Sequence, residues 1–393
     1  MPSEDEMTID ERRKYLKKQQ ERYGKATRKA RGQLLREMEE VTGLHRKSLT
    51  RLMNAKSLER KKRRTPRQKT YSQETEQVLV RVWESLDYVC AERLTPVLLR
   101  TARHLASFGE MRLSAAVQEQ LAQVSRATVG RILRAHRSRK ARLPQKGAER
   151  ANQVTKGVPM KRIAWDTRDP GHFEVDLVHH GGESTTGEYG YTLQLIDVAT
   201  GWSERVALLG RGQRAMQAAF EQVLSRLPFA VMELHPDNGG EFFNAHLVAF
   251  WKEKVVGVQL SRSRPYQKND NRLVEQKNDT LVRQYFGQLR LDTPEQIEAM
   301  NALYERMWLY YNLFQPVLHL SEKVVVDDKV CRKWDQAQTP YERLQATGKL
   351  SAEQQHRLQT LYEQTNPRRL REEIYQGLAQ LWEQATQSAT PAA

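Results

Sequence analysis

Apolar positions recur at helical spacing through the first third of the chain and alternate along strands through the middle. The run DERRKYLKKQQERYG, from Asp10, reads as a solvated helix. RGQLLREMEEVTGLHRKSLTRLM sets Leu34, Leu35, Met38, Val41, Leu44, Leu49 and Leu52 on one face of two helices, with Gly43 supplying a tight turn at Thr42 to Leu44. Residues 72–107 repeat the helical spacing with Val78, Leu79, Val82, Trp83 and Leu86, then Leu98, Leu99 and Leu105. LSAAVQEQLAQVSRATVGRILRAHR predicts a second pair of helices, the last capped by Ser125.

Beyond residue 160 the period changes. Strands are predicted near 172–179, 189–198 and 203–209, a helix over 212–226, a strand near 230–236, a helix over 244–255 and a strand near 258–262. A helix then begins near Asn269 to Asn271 and stops at Gly287. TPEQIEAMNALYERMWLYYNLFQP predicts a closing helix whose aromatic residues read as packing. The remainder is helical and polar, with SEKVVVDDKVCRKWD as a short β element. The pattern therefore predicts several domains: all-α helix-turn-helix domains at 1–58 and 72–136, a mixed α/β domain at 159–320, and a mainly helical C-terminal region at 321–393. The stretches 59–71 and 137–158 read as basic linkers.

Charge sharpens this division. The net charge is +16, yet residues 1–150 hold 36 Lys or Arg against 18 Asp or Glu, and the rest of the chain holds 28 against 30. All the excess lies in the helical first part, so polyanion binding should be led from there. In the two helix pairs, Arg46, Lys47, Thr50 and Arg51, and Arg126, Thr128, Arg131 and Arg134, project from the second helix, which suits phosphate and base-edge contacts. The expected partner is DNA. Two cysteines, Cys90 and Cys331, exclude a disulfide framework or a Cys-rich zinc module and fit a reducing cytoplasm. No apolar run reaches 18 residues and no secretory leader precedes the helices, so a membrane or secreted protein is not expected.

Three acids in the α/β part are hard to explain as surface charge. Asp176 lies inside the strand FEVDLVHH, Asp237 comes after an apolar run and precedes the turn formers Asn238 to Gly240, and Glu275 stands in the first turns of a helix. Converging carboxylates raise one another's pKa, and a divalent cation resolves the conflict; hard oxygen donors suit Mg2+ or Mn2+. Glu174 shares the strand face of Asp176, and strand geometry alone does not choose between them. Asp197 reads as a strand-ending turn residue. His179 and His180 face opposite ways on their strand and read as scaffold.

The motifs EVDLVHHGG, LIDVATGW, HPDNGGEF and RSRPYQKNDNRLVEQKN, taken together, resemble the catalytic core of the DDE transposase and retroviral-integrase superfamily, in particular transposases of bacterial insertion sequences. Thirty-seven residues lie between Asp237 and Glu275, close to the spacing of such cores. The resemblance covers roughly 159–320, departs at His235-Pro236, and implies a ribonuclease H-like (integrase core) fold. It selects Asp176, Asp237 and Glu275 as the catalytic and metal-binding triad for two Mg2+ (or Mn2+) ions, and makes Glu241 a supporting group. Arg264, Tyr266 and Lys268, before the last helix, become DNA contacts, and Asn278, one turn beyond Glu275, positions DNA or a carboxylate.

The resemblance implies an enzyme that binds terminal inverted repeats, cleaves the 3′ end and joins it to target DNA. It would work in the bacterial cytoplasm, on the nucleoid, as a homo-oligomer of at least two subunits, because two ends must be joined to one target. Rival expectations are a catalytically silent or domesticated transposase acting as a DNA-binding regulator, and a nuclease that hydrolyses without joining.

Overall fold

The computed structural model describes residues 7–59, 70–136, 163–164, 166–182, 186–237, 242, 245–255, 257–263, 270–326 and 329–388. The chain divides into two compact units, residues 1–70 and 71–393.

The first unit is three helices, α1 (Ile9–Lys25), α2 (Arg28–Thr42) and α3 (Arg46–Met53). Thr8 and Glu11 form a reciprocal capping box that starts α1. Gly43 ends α2 with φ of 67°, the left-handed conformation the tight turn needs, and His45 opens α3 by accepting from the Lys47 amide at 3.2 Å. Leu16, Tyr23, Leu35, Met38, Leu49 and Met53 form the core. Val41, expected on the apolar face, lies in the last turn of α2 and is 47% exposed. Arg46, Lys47 and Arg51 are exposed, and Thr50 turns its hydroxyl back onto the Arg46 carbonyl.

The second unit opens with α4 (Gln73–Ser85), α5 (Ala91–Ser107), α6 (Ala115–Gln123) and α7 (Arg126–His136). Ser125 caps α7 as expected. Arg126, Arg131 and Arg134 are exposed. Val78, Leu79, Val82, Leu94, Leu98, Val129 and Leu133 bury one another and continue, in the same cluster, onto Trp202, Trp308, Leu313 and Phe314 of the α/β part. These helices therefore share a core with the turn before β3 and with the closing helix of the α/β part.

That sheet has five strands: β1 (His172–His180), β2 (Gly190–Asp197) and β3 (Ser203–Leu209), then β4 (Glu233–Pro236) after helix α8 (Gln213–Arg226), and β5 (Gln259–Leu260) after α9 (Ala245–Lys254). The order is β3-β2-β1-β4-β5, with β1 to β3 antiparallel and β4 and β5 parallel to β1. Strand alternation sorts the side chains. Phe173, Val175, Leu193, Leu195, Val206 and Leu208 face α8 and α9. Val178 and Ala207 face the opposite layer, built from α10 (Arg272–Lys277), a π-helical segment (Asn278–Arg283), α11 (Gln284–Phe286) and α12 (Pro294–Leu309).

The stretch from Asn271 to Gly287, expected as one regular helix, thus widens to a π-helix in its middle. A second π segment, Tyr310–Phe314, ends α12. After it come the hairpin β6 (Leu320–Val326) and β7 (Lys329–Trp334), then α13 (Pro340–Ala346), α14 (Ala352–Gln364) and α15 (Pro367–Ser388). Leu370, Ile374, Leu378 and Leu381 of α15 bury against α12, so the C-terminal helix is part of the same core.

Asp87 and Tyr88, between α4 and α5, both take positive φ (57° and 59°), which costs energy for residues with side chains. Asp87 accepts hydrogen bonds from Tyr285 of α11 (3.0 Å) and from Arg371 and Tyr375 of α15 (2.8 Å each), and these fix the turn in that conformation. No helix among the described residues is long and apolar enough to cross a membrane.

Candidate active site

The site stands where β1 and β4 run side by side under α10. The parallel register ends with Val175 paired to Pro236, so Asp176 continues β1 while Asp237 is the first residue beyond β4. Asp176 is half-buried, whereas Asp237, just past the strand end, is exposed. Glu275 is exposed in the first turn of α10 and acts electrostatically on Asp176.

Asp176 Oδ1 accepts from the Leu177 amide at 2.8 Å and Oδ2 from Asn278 Nδ2. Burial pushes the Asp176 carboxyl above its ordinary pKa. The two hydrogen bonds pull it back, Glu275 pushes it further up, and Arg283 opposes that push. Among the described residues, no group of three His, Cys, Asp or Glu side chains lies close enough to make a ready-built metal cage.

Neighbouring side chains hold these acids in place. Glu174, two positions before Asp176, accepts from the backbone amides of Leu273 (2.7 Å) and Val274 (3.0 Å), so a buried carboxylate caps the N-terminus of α10. Asn271, standing at the expected N-cap, makes no capping bond. With its side-chain amide turned over, so that nitrogen faces a carbonyl and oxygen an N–H, it donates to the His235 carbonyl (3.2 Å) and accepts from the Asp237 amide (3.0 Å), tying the start of the Glu275 helix to the strand end before Asp237.

Beneath β4, His235 Nδ1 meets Ser261 Oγ at 2.7 Å, Ser261 donates to Glu233, and Glu233 meets His172 Nδ1 at 3.0 Å. The departure at His235 is thus a buried polar network bracing the strand. The only advance signal for any of this was the two-residue spacing of Glu174 and Asp176.

The other candidate residues take structural places. Asn278 is 5% exposed, and its amide nitrogen engages Asp176. Asp197 is buried and accepts from the Gly171 amide (2.7 Å) and from the Thr200 amide (2.9 Å) and hydroxyl (2.6 Å), a turn-holding role; burial pushes its carboxyl up to about 6. His179 is exposed, and His180 is buried against Thr192 Oγ1 at 2.7 Å, so neither joins the acids. Arg264, Tyr266, Lys268 and Glu241 lie outside the described residues.

No family model matches the chain. It is 34% identical over 329 residues to "Uncharacterized protein y4rM" of Sinorhizobium fredii (strain NBRC 101917 / NGR234), an alignment spanning 82% of this chain and 92% of that protein. Among solved structures, the catalytic core domain of BIV integrase is similar over 45% of this chain and 96% of its own, with 18% identity and a TM-score of 0.31.

Proposed function

The chain belongs to the family of that rhizobial protein, and we propose that it is a DNA-cleaving and DNA-joining enzyme, the DDE transposase of a bacterial insertion sequence. One juxtaposition carries the reading. Asp176, in the middle of a strand, is held by Asn278, its carboxyl is raised by burial and further by Glu275, and Asp237 directly follows Pro236, the strand partner of Val175. The mixed five-stranded sheet with helices on both faces is compatible with the ribonuclease H-like architecture that the sequence motifs imply.

The donor set fits a hard divalent cation, since every candidate ligand is a carboxylate oxygen. Asp176, Asp237 and Glu275 would hold two Mg2+ or Mn2+ ions, which supply an activated attacking oxygen and a stabilised leaving oxygen at phosphorus. The chain's own residues do the positioning. Leu177 and Asn278 fix the two oxygens of Asp176, Glu174 anchors the helix turn that presents Glu275, and Asn271 fixes the backbone of Asp237. Arg46, Lys47, Thr50 and Arg51 on α3, and Arg126, Thr128, Arg131 and Arg134 on α7, are the proposed DNA-reading groups of two helix-turn-helix elements. They would bind the terminal inverted repeats, and joining two ends to one target calls for at least two subunits.

The test uses labelled element ends, intact and pre-nicked, with Mg2+ or Mn2+. Asp176→Asn, Asp237→Asn and Glu275→Gln should each abolish cleavage and joining while end binding persists. Any of the three that keeps more than a few per cent of wild-type activity is removed from the triad. Wild-type protein that binds ends without cutting them would instead be a DNA-binding regulator, and cutting without joining would make it a nuclease.

A further inference from the structure

A polar row runs across the sheet behind Asp176. Register pairs Asp176 with Gln194 on β2 and Gln194 with Arg205 on β3, so all three project from one face, each beside the next. The same face carries Val178 and Ala207 and is covered by Val282, Phe286, Met300 and Tyr304.

Gln194 is fully buried, and among the described residues neither Oε1 nor Nε2 has a hydrogen-bond partner. Asn278 Oδ1, over the same row, is buried and unpartnered too. Arg205 is 2% exposed and lies near the rings of Tyr304 and Tyr311. Its guanidinium donates to the Leu281 carbonyl in the first π segment (3.4 Å) and to the Met307 carbonyl, one turn before the second (3.1 Å). An amide buried without partners destabilises a fold, and an apolar side chain of the same size would avoid that cost. A row of this kind next to the Asp176 carboxylate calls for a role.

We propose that Gln194 and Arg205 are positioning residues for the metal-binding carboxylate, forming an amide relay. In it Arg205 donates to Gln194 Oε1, Gln194 Nε2 donates to Asn278 Oδ1, and Asn278 Nδ2 donates to Asp176 Oδ2. Only the last link is closed in this structure; of the other two, one would join the register neighbours Arg205 and Gln194 and one would join Gln194 to Asn278, both of which have Asp176 as a partner, in register or by hydrogen bond, and in each the donor and acceptor characters match. A side-chain amide can turn over and offer oxygen where nitrogen stood, and an Asn278 oxygen facing Asp176 would repel it. Arginine has donors and no acceptor, so a relay that starts at Arg205 has one sense only, and that sense delivers N–H to Asp176. The contact with Leu281 also fixes the π-helical turn that begins at Asn278 and aims it.

This inference rests on Asp176 being a metal-binding acid, and the experiment keeps the two claims apart. Mn2+ binding to the full chain without DNA is monitored by the electron-paramagnetic signal of free Mn2+, with the melting temperature measured alongside. Gln194→Met should raise the melting temperature by about 2–4 °C, because it removes two unpartnered polar atoms without changing volume much. The same variant should weaken Mn2+ binding on the order of tenfold. In an Asn278→Ala background it should change Mn2+ affinity no further, since the relay passes through Asn278.

Gln194→Met with unchanged Mn2+ affinity overturns the relay. A drop in melting temperature together with affinity also overturns it, by assigning Gln194 to folding alone. If Asp176→Asn binds Mn2+ as well as wild type, the metal reading itself fails, whatever Gln194→Met does.

Discussion

Single side chains in this molecule are decided by what lies across from them. His180 sits on the same strand face as Asp176 but meets Thr192 Oγ1, which in turn meets the Tyr304 hydroxyl at 2.6 Å. Burial holds its imidazole neutral, pushing the pKa down to about 3, with His179 and Arg283 adding to the shift. The unfolded chain binds that proton near pH 6.5, so between about 3 and 6.5 the unfolded state carries more protons. Stability should therefore fall as pH drops through this window, by up to about 1.4 kcal/mol per pH unit from this residue. His180→Gln should be less stable than wild type at pH 7, and the gap should close by pH 5 in urea unfolding. A gap that stays constant would mean that His180 does not titrate this way. Alternation along β1 made Glu174 and Asp176 equivalent, and only the helix overhead separates them. Glu174 meets backbone amides at the start of α10, whereas Asp176 is bonded by Asn278, one turn further on, and feels the charge of Glu275.

The elements themselves were largely legible, because each has a clear period: the strands 172–180, 190–197 and 203–209 and the helices 213–226 and 245–254 fall within a residue or two of expectation. The helix of Glu275 was less so. Its cap comes from Glu174, about a hundred residues earlier in the chain, and its π-helical middle carries a carbonyl bonded to Arg205 on a strand. Neither contact is local, so no window of sequence around Glu275 contains it. The cap has a testable weight. Glu174→Ala would leave the Leu273 and Val274 amides without that acceptor and remove a negative charge from the helix start, a cost of about 1–3 kcal/mol. The variant should melt earlier, bind element ends as wild type does, and cleave them poorly, because Glu275 loses its fixed turn. Undiminished cleavage at a temperature where the variant is fully folded would show that α10 does not need this anchor.

At the scale of the whole chain, charge and composition located the basic stretches but could not show where one core ends and another begins. The helices α4 to α7 look from their sequence like a domain of their own, yet their apolar face is completed by Trp202, Trp308, Leu313 and Phe314. The unit at residues 1–70 instead closes its own small core around Leu16, Leu35, Met38 and Leu49. It holds 22 of the 64 Lys and Arg against 10 of the 48 Asp and Glu. Cutting the chain tests this directly. A fragment of residues 1–70 should give a helical circular-dichroism spectrum and bind DNA with an affinity that falls steeply as salt rises, each phosphate contact releasing condensed counterion. A fragment ending at residue 136 adds helices whose core partners are missing, so it should bind a hydrophobic dye and lose the sharp unfolding transition of α4 to α7. If the longer fragment unfolds cooperatively in that region and binds no dye, the four helices are a domain in their own right, and the shared core is a docking contact between finished parts.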